Sequence, residues 1–254
     1  MVGPRLRVWG AAAILALLLP SDPAQARDLV VGVEAIDYLP AYGMRDGQFQ
    51  GAGRAVLDAF AQAKGHRIIY RPYPVKRLLA ELIHGGVDLK FPDSPDWQAA
   101  MRQGRSIHYS GPIIAYIDGT VVRRDKLALG VEGIHSIGTV AGFTPYAWSE
   151  YLKADKVDLK ENPNFEQLLR QVITGRIDGA YVNVAVALTA VDKLADGAGA
   201  LAYAPDLPHI SDSYRLSATT KAADIITEFD AWMAANTKQV QDLVARSGAE
   251  RGLH

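Results

Sequence analysis

The sequence predicts an α/β protein built of two similar open-sheet units, and three observations lead there. Apolar, β-branched strand segments alternate with amphipathic helices from Leu29 to Phe91, an order that gives parallel pairing and right-handed crossovers. The arrangement helix, G-x-x-D, strand occurs twice, at Gly85-Gly86-Val87-Asp88 and at Gly175-Arg176-Ile177-Asp178. At 254 residues, with 49% hydrophobic and 22% charged side chains, the chain can build one large core or two smaller ones.

Taken in order, Leu29–Glu34 (LVVGVE) has the pattern of a central strand. Asp37–Gly51 carries Pro40, Gly43, Gly47 and Gly51 and is expected to be a loop. Its aromatic residues Tyr38, Tyr42 and Phe49 read either as anchors of that loop or as platforms for a ligand. Ala52–Lys64 places Val56, Leu57, Phe60 and Ala63 on one helical face, and Gly65 stops it. Arg67–Tyr73 alternates as a second strand, and Lys76–His84 is a helix with Leu78, Leu79, Leu82 and Ile83 inward.

Val87, Leu89 and Phe91 form a short half-buried strand. Pro92 removes a backbone donor and Asp93-Ser94-Pro95 supplies turn chemistry, so the chain is expected to leave the sheet there. Polar side chains just past a buried strand are where an open α/β sheet places its ligand. A short helix beginning near Trp97 and a strand ending at Tyr109 follow. Ile113–Arg124 is a strand with Asp118-Gly119 in its middle.

Gly138–Ala141 begins a fresh strand, and Tyr146–Lys153 is expected to be a helix with Thr144 as N-cap and Pro145 at its first position. Phe143, Thr144, Tyr146 and Trp148 cluster at that start. Asn164–Thr174 is a helix with Phe165, Leu168, Leu169 and Val172 inward, followed by the strand Ala180–Val182. Leu201–Tyr203 and Ser213–Ser217 are strands. Asp224–Arg246 is a long amphipathic helix or a pair of them.

The formal net charge of −1 gives no electrostatic reason to expect nucleic acid or an anionic membrane as partner. The absence of Cys excludes disulfides, Cys–zinc sites and thiol catalysis. Six scattered His without H-x-x-x-H spacing give no support to a metal site, and no cofactor is expected. Arg5 and Arg7, the apolar run Val8–Leu19 and Ala24-Gln25-Ala26 have the layout of a cleaved secretory signal over residues 1–26. The apolar run is shorter than the roughly 20 residues a membrane span needs.

The order "helix, G-x-x-D, strand, polar turn, Arg, F-S-x-P" resembles the first-lobe segment of bacterial extracellular solute-binding proteins of the amino-acid type, family 3. Here Gly86, Asp88, Arg102 and Tyr109-Ser110-x-Pro112 carry it. Gly138-Thr139-Val140-Ala141-Gly142 is similar to that family's second-lobe start, and Ser213-Tyr214-Arg215-Leu216 to its return strand. The resemblance covers roughly residues 28–248. It implies the type II periplasmic binding fold: two hinge-linked lobes, residues 27–117 plus 212–254 and residues 118–211, with a ligand cleft between them. The expected crossings lie near Tyr116–Val122 and Pro208–Tyr214. Hinge closure is the motion it implies.

The resemblance further implies a periplasmic protein, expected to be monomeric, that binds a small solute and hands it to an inner-membrane transport partner. The ligand-binding residues it points to, together with the residue reading, are Tyr38, Tyr42, Phe91, Asp93, Ser94, Trp97, Arg102, Phe143, Thr144, Tyr146 and Asn183. Two departures matter. Asp93-Ser94-Pro95-Asp96-Trp97 stands where the family grips an α-carboxylate, with Arg102 one residue out of register and Arg105 as a competitor. Asn183 replaces the Asp that takes the α-ammonium, and an Asn neutralises no charge.

Asp93 and Asp96 also read as turn caps, Trp97 as core, and Arg102 as a surface charge. A carrier of an apolar metabolite, such as a lipid or sterol, is the alternative on the same fold. An enzyme using Glu34 or Asp93 as general acid is the third reading, and a sharply raised pKa on either would favour it. No nucleophile elbow, phosphate-binding loop or dinucleotide fingerprint supports an enzyme, so a non-enzymatic role is expected.

Overall fold

The computed structural model describes residues 26–194 and 199–253. The expected secretory signal, apart from Ala26, lies outside the described residues. Among the described residues, no helix is long and apolar enough to cross a membrane.

β1 (Asp28–Glu34) is central, flanked in parallel by β5 (Arg67–Tyr73) and β6 (Leu89–Asp93). Between β1 and β5 the chain makes a small antiparallel meander, β2 (Asp37–Tyr38), β3 (Tyr42–Arg45) and β4 (Gln48–Gln50), before α1 (Ala52–Lys64). This corrects the expected loop: Asp46 and Gly47 both take positive φ, the two-residue Asp-Gly turn that closes a tight hairpin. α1 ends as expected on Gly65, at φ 75°. α2 (Val75–Ile83) returns the chain to β6.

β6 does not end at Pro92. Its pairing with β1 stops at Val33–Phe91, and its pairing with the last strand resumes at Asp93 across an irregularity between Arg215 and Ser217. The missing donor of Pro92 therefore falls where the ladder is already broken. α3 (Ala99–Arg102) and β7 (Ile107–Tyr109) follow, and β8 (Ile114–Arg123) then runs into the second half of the molecule.

There β9 (Ser136–Val140) pairs in parallel with β10 (Asp158–Asn162) and β11 (Gly179–Asn183), and β11 pairs antiparallel with β8. The expected helix after Gly142 is broken: a single tight turn over Tyr146–Trp148 precedes α4 (Ser149–Lys153). Thr144 caps nothing with its side chain; its carbonyl accepts the Tyr146 N–H. α5 (Phe165–Ile173) is capped by Asn164, whose side chain accepts the Gln167 N–H at 2.9 Å. α6 (Val184–Val191), to which the sequence reading assigned no element, is capped by Asn183 and buried over Val184–Ala187 and at Val191.

β12 (Leu201–Tyr203) pairs with β8. β13 (Ile210–Thr219) pairs with β8 over Ile210–Tyr214 and with β6 and β7 from Arg215 onward. One hydrogen-bonded path thus runs β10-β9-β11-β8-β13-β6-β1-β5 through both halves, joined by β8 and β13. α7 (Ala223–Ala235) and α8 (Thr237–Ser247), separated at Asn236, bury Phe229, Trp232 and Val244 in the core that holds Phe60 of α1.

Candidate functional site

The site lies between the two halves, walled by the ends of β1, β6, β9 and β11, by β8 and β13, and by the turns after β6 and β9. It is a narrow cavity of about 60 Å³, several times the roughly 10–15 Å³ that one water needs. Seven of the expected residues line it: Tyr38, Tyr42, Trp97, Arg102, Phe143, Thr144 and Tyr146. The sequence reading did not single out Lys90, Gln98 or Tyr181, named Thr139 and Tyr214 only within motifs, and treated Asp118 only as part of a strand; all six line it as well. Glu34, considered as a general acid, is also in the wall.

The other four expected residues lie outside the lining. Phe91 is fully buried and fills the space above Gly53, where an added Cβ would stand 2.1 Å from its ring. Asp93 is fully buried and accepts from Lys90 Nζ at 2.7 Å, Ser217 Oγ at 2.6 Å and Arg102 Nη2 at 2.6 Å. Ser94, also buried, donates its hydroxyl to Asp212 at 3.0 Å. Asn183 accepts the Val186 N–H at 3.0 Å and donates its amide to the Tyr214 hydroxyl at 2.9 Å. Trp148, from the cluster after Gly142, is buried and donates to Thr120 at 2.9 Å.

Of the two competing arginines, Arg102 faces the cavity and Arg105 is exposed. Yet the Arg102 guanidinium is already engaged. Its Nη1 and Nη2 clasp both oxygens of Asp93, and its remaining bonds go to the Trp97 carbonyl and the Tyr109 hydroxyl. The fork that could grip a ligand carboxylate grips a carboxylate of the protein. Lys90, 3% exposed, also gives hydrogen bonds to Asp93 and to the Pro92 carbonyl, with its ammonium 5.4 Å from the Trp97 ring centre. Burial alone would push Asp93 up, but Lys90 and Arg102 outweigh it and hold its carboxyl below the usual range.

The two other acids of the wall behave in the opposite way. Burial raises Glu34 to about 7 against the pull of Lys90 and the hydrogen bond given by Tyr42 at 2.8 Å. Burial raises Asp118 to about 7, helped by the negative charges of Asp212 and Glu34. Among the described residues, none gives the Asp118 side chain a hydrogen bond, and its carboxyl opens on the cavity.

Aromatic rings make up most of the remaining surface. Tyr38 meets Phe143 edge to face at 5.3 Å, and Trp97 meets Tyr214 at 6.0 Å. The two halves touch at the rim: the Gln98 N–H donates to the Tyr146 hydroxyl at 3.2 Å, and the Asn183 N–H donates to the Tyr38 hydroxyl at 2.9 Å. Lys76 faces Glu161 at 3.9 Å across the same gap.

Comparison with solved structures places this arrangement. An amino acid ABC transporter substrate-binding protein from Streptococcus pneumoniae, bound to L-arginine, superposes over 87% of this chain and 94% of its own, with TM-score 0.68 and 19% identity. The chain has the two-lobed periplasmic binding fold. A histidine kinase sensor domain with similarity to periplasmic binding proteins matches over 87% and 96%, with TM-score 0.70 and 20% identity. An ancestral amino acid-binding protein described as a precursor of cyclohexadienyl dehydratase matches over 87% and 94%, with TM-score 0.68 and 17% identity. No protein-family model and no curated protein sequence matches the chain. At these identities the likeness establishes the fold, and that fold carries transport, sensing and an enzyme's ancestor.

Proposed function

We propose that the protein is a periplasmic solute-binding protein that captures a small ligand between its two lobes and delivers it to a membrane transport partner. One observation carries this reading: two halves linked by β8 and β13 border a cavity walled by aromatic rings, with an unpartnered carboxyl inside it. The lobes are residues 27–117 plus 212–254 and residues 118–211, an assignment supported by the change of partners along β13. The protein acts as a monomer after export. The lipid or sterol alternative has less support, because the cavity is narrow and four ionisable side chains, Glu34, Lys90, Arg102 and Asp118, line it.

The test is a thermal-shift panel of amino acids, amines, organic acids, sugars and lipids on the protein from Arg27 onward. A ligand at about 100 times its Kd adds about 2.7 kcal/mol, or several degrees for a chain of this size. A polar solute that shifts the midpoint supports the proposal; a response to lipid alone replaces it with the apolar carrier.

A second reading has an observation of its own. The Glu34 carboxyl, raised to about 7 against an aromatic wall, is poised as a general acid. Asp93, the other acid considered for that role, is held ionised and fails it. Product formed from a bound ligand by the wild type but not by Glu34→Gln would establish an enzyme.

A further inference from the structure

The polar groups of the cavity are unequally satisfied. The positively charged groups are largely committed, with one N–H left on Lys90 and one on Arg102. Arg102 is spent on Asp93, Trp97 and Tyr109, and Lys90 has given two bonds to Asp93 and the Pro92 carbonyl. The unsatisfied groups are acceptors. Asp118 receives no hydrogen bond from a described residue, and Glu34 receives one, from Tyr42. A third acceptor has an independent origin: Gln98 lines the cavity, and its buried side-chain oxygen has no partner among the described residues. A buried acceptor left open in this way costs free energy that an incoming donor recovers.

The charges lean the same way. Asp93 is balanced by Lys90 and Arg102 in one compact cluster, and Asp212 faces Arg215 at 3.7 Å. Glu34 feels Lys90 without a hydrogen bond to it, and among the described residues the charges that act on Asp118 are those of Asp212 and Glu34, both negative. The surrounding rings add the electron-rich faces that attract organic cations. A ligand carboxylate entering this space would meet one spare N–H on Lys90 and one on Arg102, both on cations already paired with Asp93, and would stand against two further acids.

From these observations we infer that the cavity takes a protonated organic amine that carries no carboxylate, with Asp118 and Glu34 receiving the cationic head and the aromatic walls its apolar body. This rests on the solute-binding reading and narrows it to one class of ligand. It also reverses what the arrangement of Arg102 leads one to expect: the arginine positions Asp93, and Asp93 keeps the arginine from ligands.

The test uses compounds that differ in one charged group. Phenethylamine, phenylalanine and 3-phenylpropionate share a phenyl ring on a short chain and carry the amine alone, both groups, or the carboxylate alone. Agmatine and arginine form a second pair differing only in the carboxylate. Titration calorimetry on the mature protein is expected to show phenethylamine or agmatine binding at least tenfold tighter than its carboxylated counterpart, with 3-phenylpropionate inert. Equal affinity for amine and amino acid, or binding of the carboxylate alone, overturns the inference.

If none of the five compounds binds, the inference also falls. The solute-binding reading then survives only where the wider thermal-shift panel finds another ligand, which separates the two failures. As a second measurement, Asp118→Asn is expected to lower the affinity for the bound amine at least tenfold while leaving the ligand-free unfolding midpoint no lower than wild type. Unchanged affinity would sink the assignment of Asp118. Should that variant not fold, the compound series on the wild-type protein decides alone.

Discussion

Glu34→Gln isolates the cost of keeping a carboxyl in a dry wall. Raised from its ordinary 4.5 to about 7, the group holds its proton more tightly folded than unfolded. Below pH 4.5 it is protonated in both states and contributes no pH dependence. Between pH 4.5 and 7 the unfolded chain ionises it and the folded chain does not, so stability falls as pH rises; above 7 the loss is complete. At 1.36 kcal/mol per pKa unit the loss is about 3 kcal/mol, and this already includes the favourable pull of Lys90.

Gln retains an acceptor for the Tyr42 hydroxyl and has nothing to ionise. The variant should match wild type in relative stability at pH 4 and exceed it by about 3 kcal/mol at pH 8, or roughly 6–12 °C in midpoint for a chain of this size. Denaturant unfolding of both proteins from pH 4 to 8 measures the difference directly. Relief of the repulsion on Asp118 flattens the variant's profile further. Parallel profiles for the two proteins would refute the reasoning, because they would mean that Glu34 titrates alike in both states.

Other perturbations have equally definite outcomes. Asp93→Asn leaves Lys90 and Arg102 without their shared counter-charge, and should cost about 3–5 kcal/mol in denaturant unfolding at pH 7. Gly53→Ala drives a methyl into the Phe91 ring and should cost about 1–3 kcal/mol, read as a lower thermal midpoint. Tyr146→Phe removes the acceptor of the Gln98 N–H at the rim. It should weaken ligand binding by about 1 kcal/mol in calorimetry. Asn183→Asp keeps the cap on α6 but puts a carboxyl at a fully buried position opposite Asp118, so its midpoint should fall below wild type at pH 8 and recover towards pH 4. Because residue 183 is outside the lining, calorimetry with amino acids should show no gain in binding.

The elements with one clear face were legible. α1, α2 and α5 have evenly spaced apolar residues, β1 is a β-branched run, and β5 alternates between its two faces. α6 was not: VAVALTAV has apolar residues on every side and β-branched ones at alternate positions, so it shows neither a helical stripe nor strand polarity. The meander was hidden by the Gly and Pro residues around it, although Asp46-Gly47 between Met44 and Phe49 is a strong hairpin signal.

At the site, aromatic residues near turns were found and charged residues inside strands were not. Lys90 and Asp118 each interrupt an otherwise apolar strand, and a charge in such a place has to meet a partner or a cavity. That pattern was present in the sequence. The clasp of Arg102 on Asp93 was not, since nine residues of intervening turn and helix determine whether the two side chains meet.

β13 lies in the middle of the hydrogen-bonded path and near the end of the chain. During synthesis, β8 and β6 therefore each lack a neighbour until residues 210–219 have been made, and α7 and α8 reach Phe60 later still. Neither half completes its sheet before β13 is in place, so the pairing of both depends on the last strand in sequence order. The position of one strand thus ties the completion of each half to that of the other.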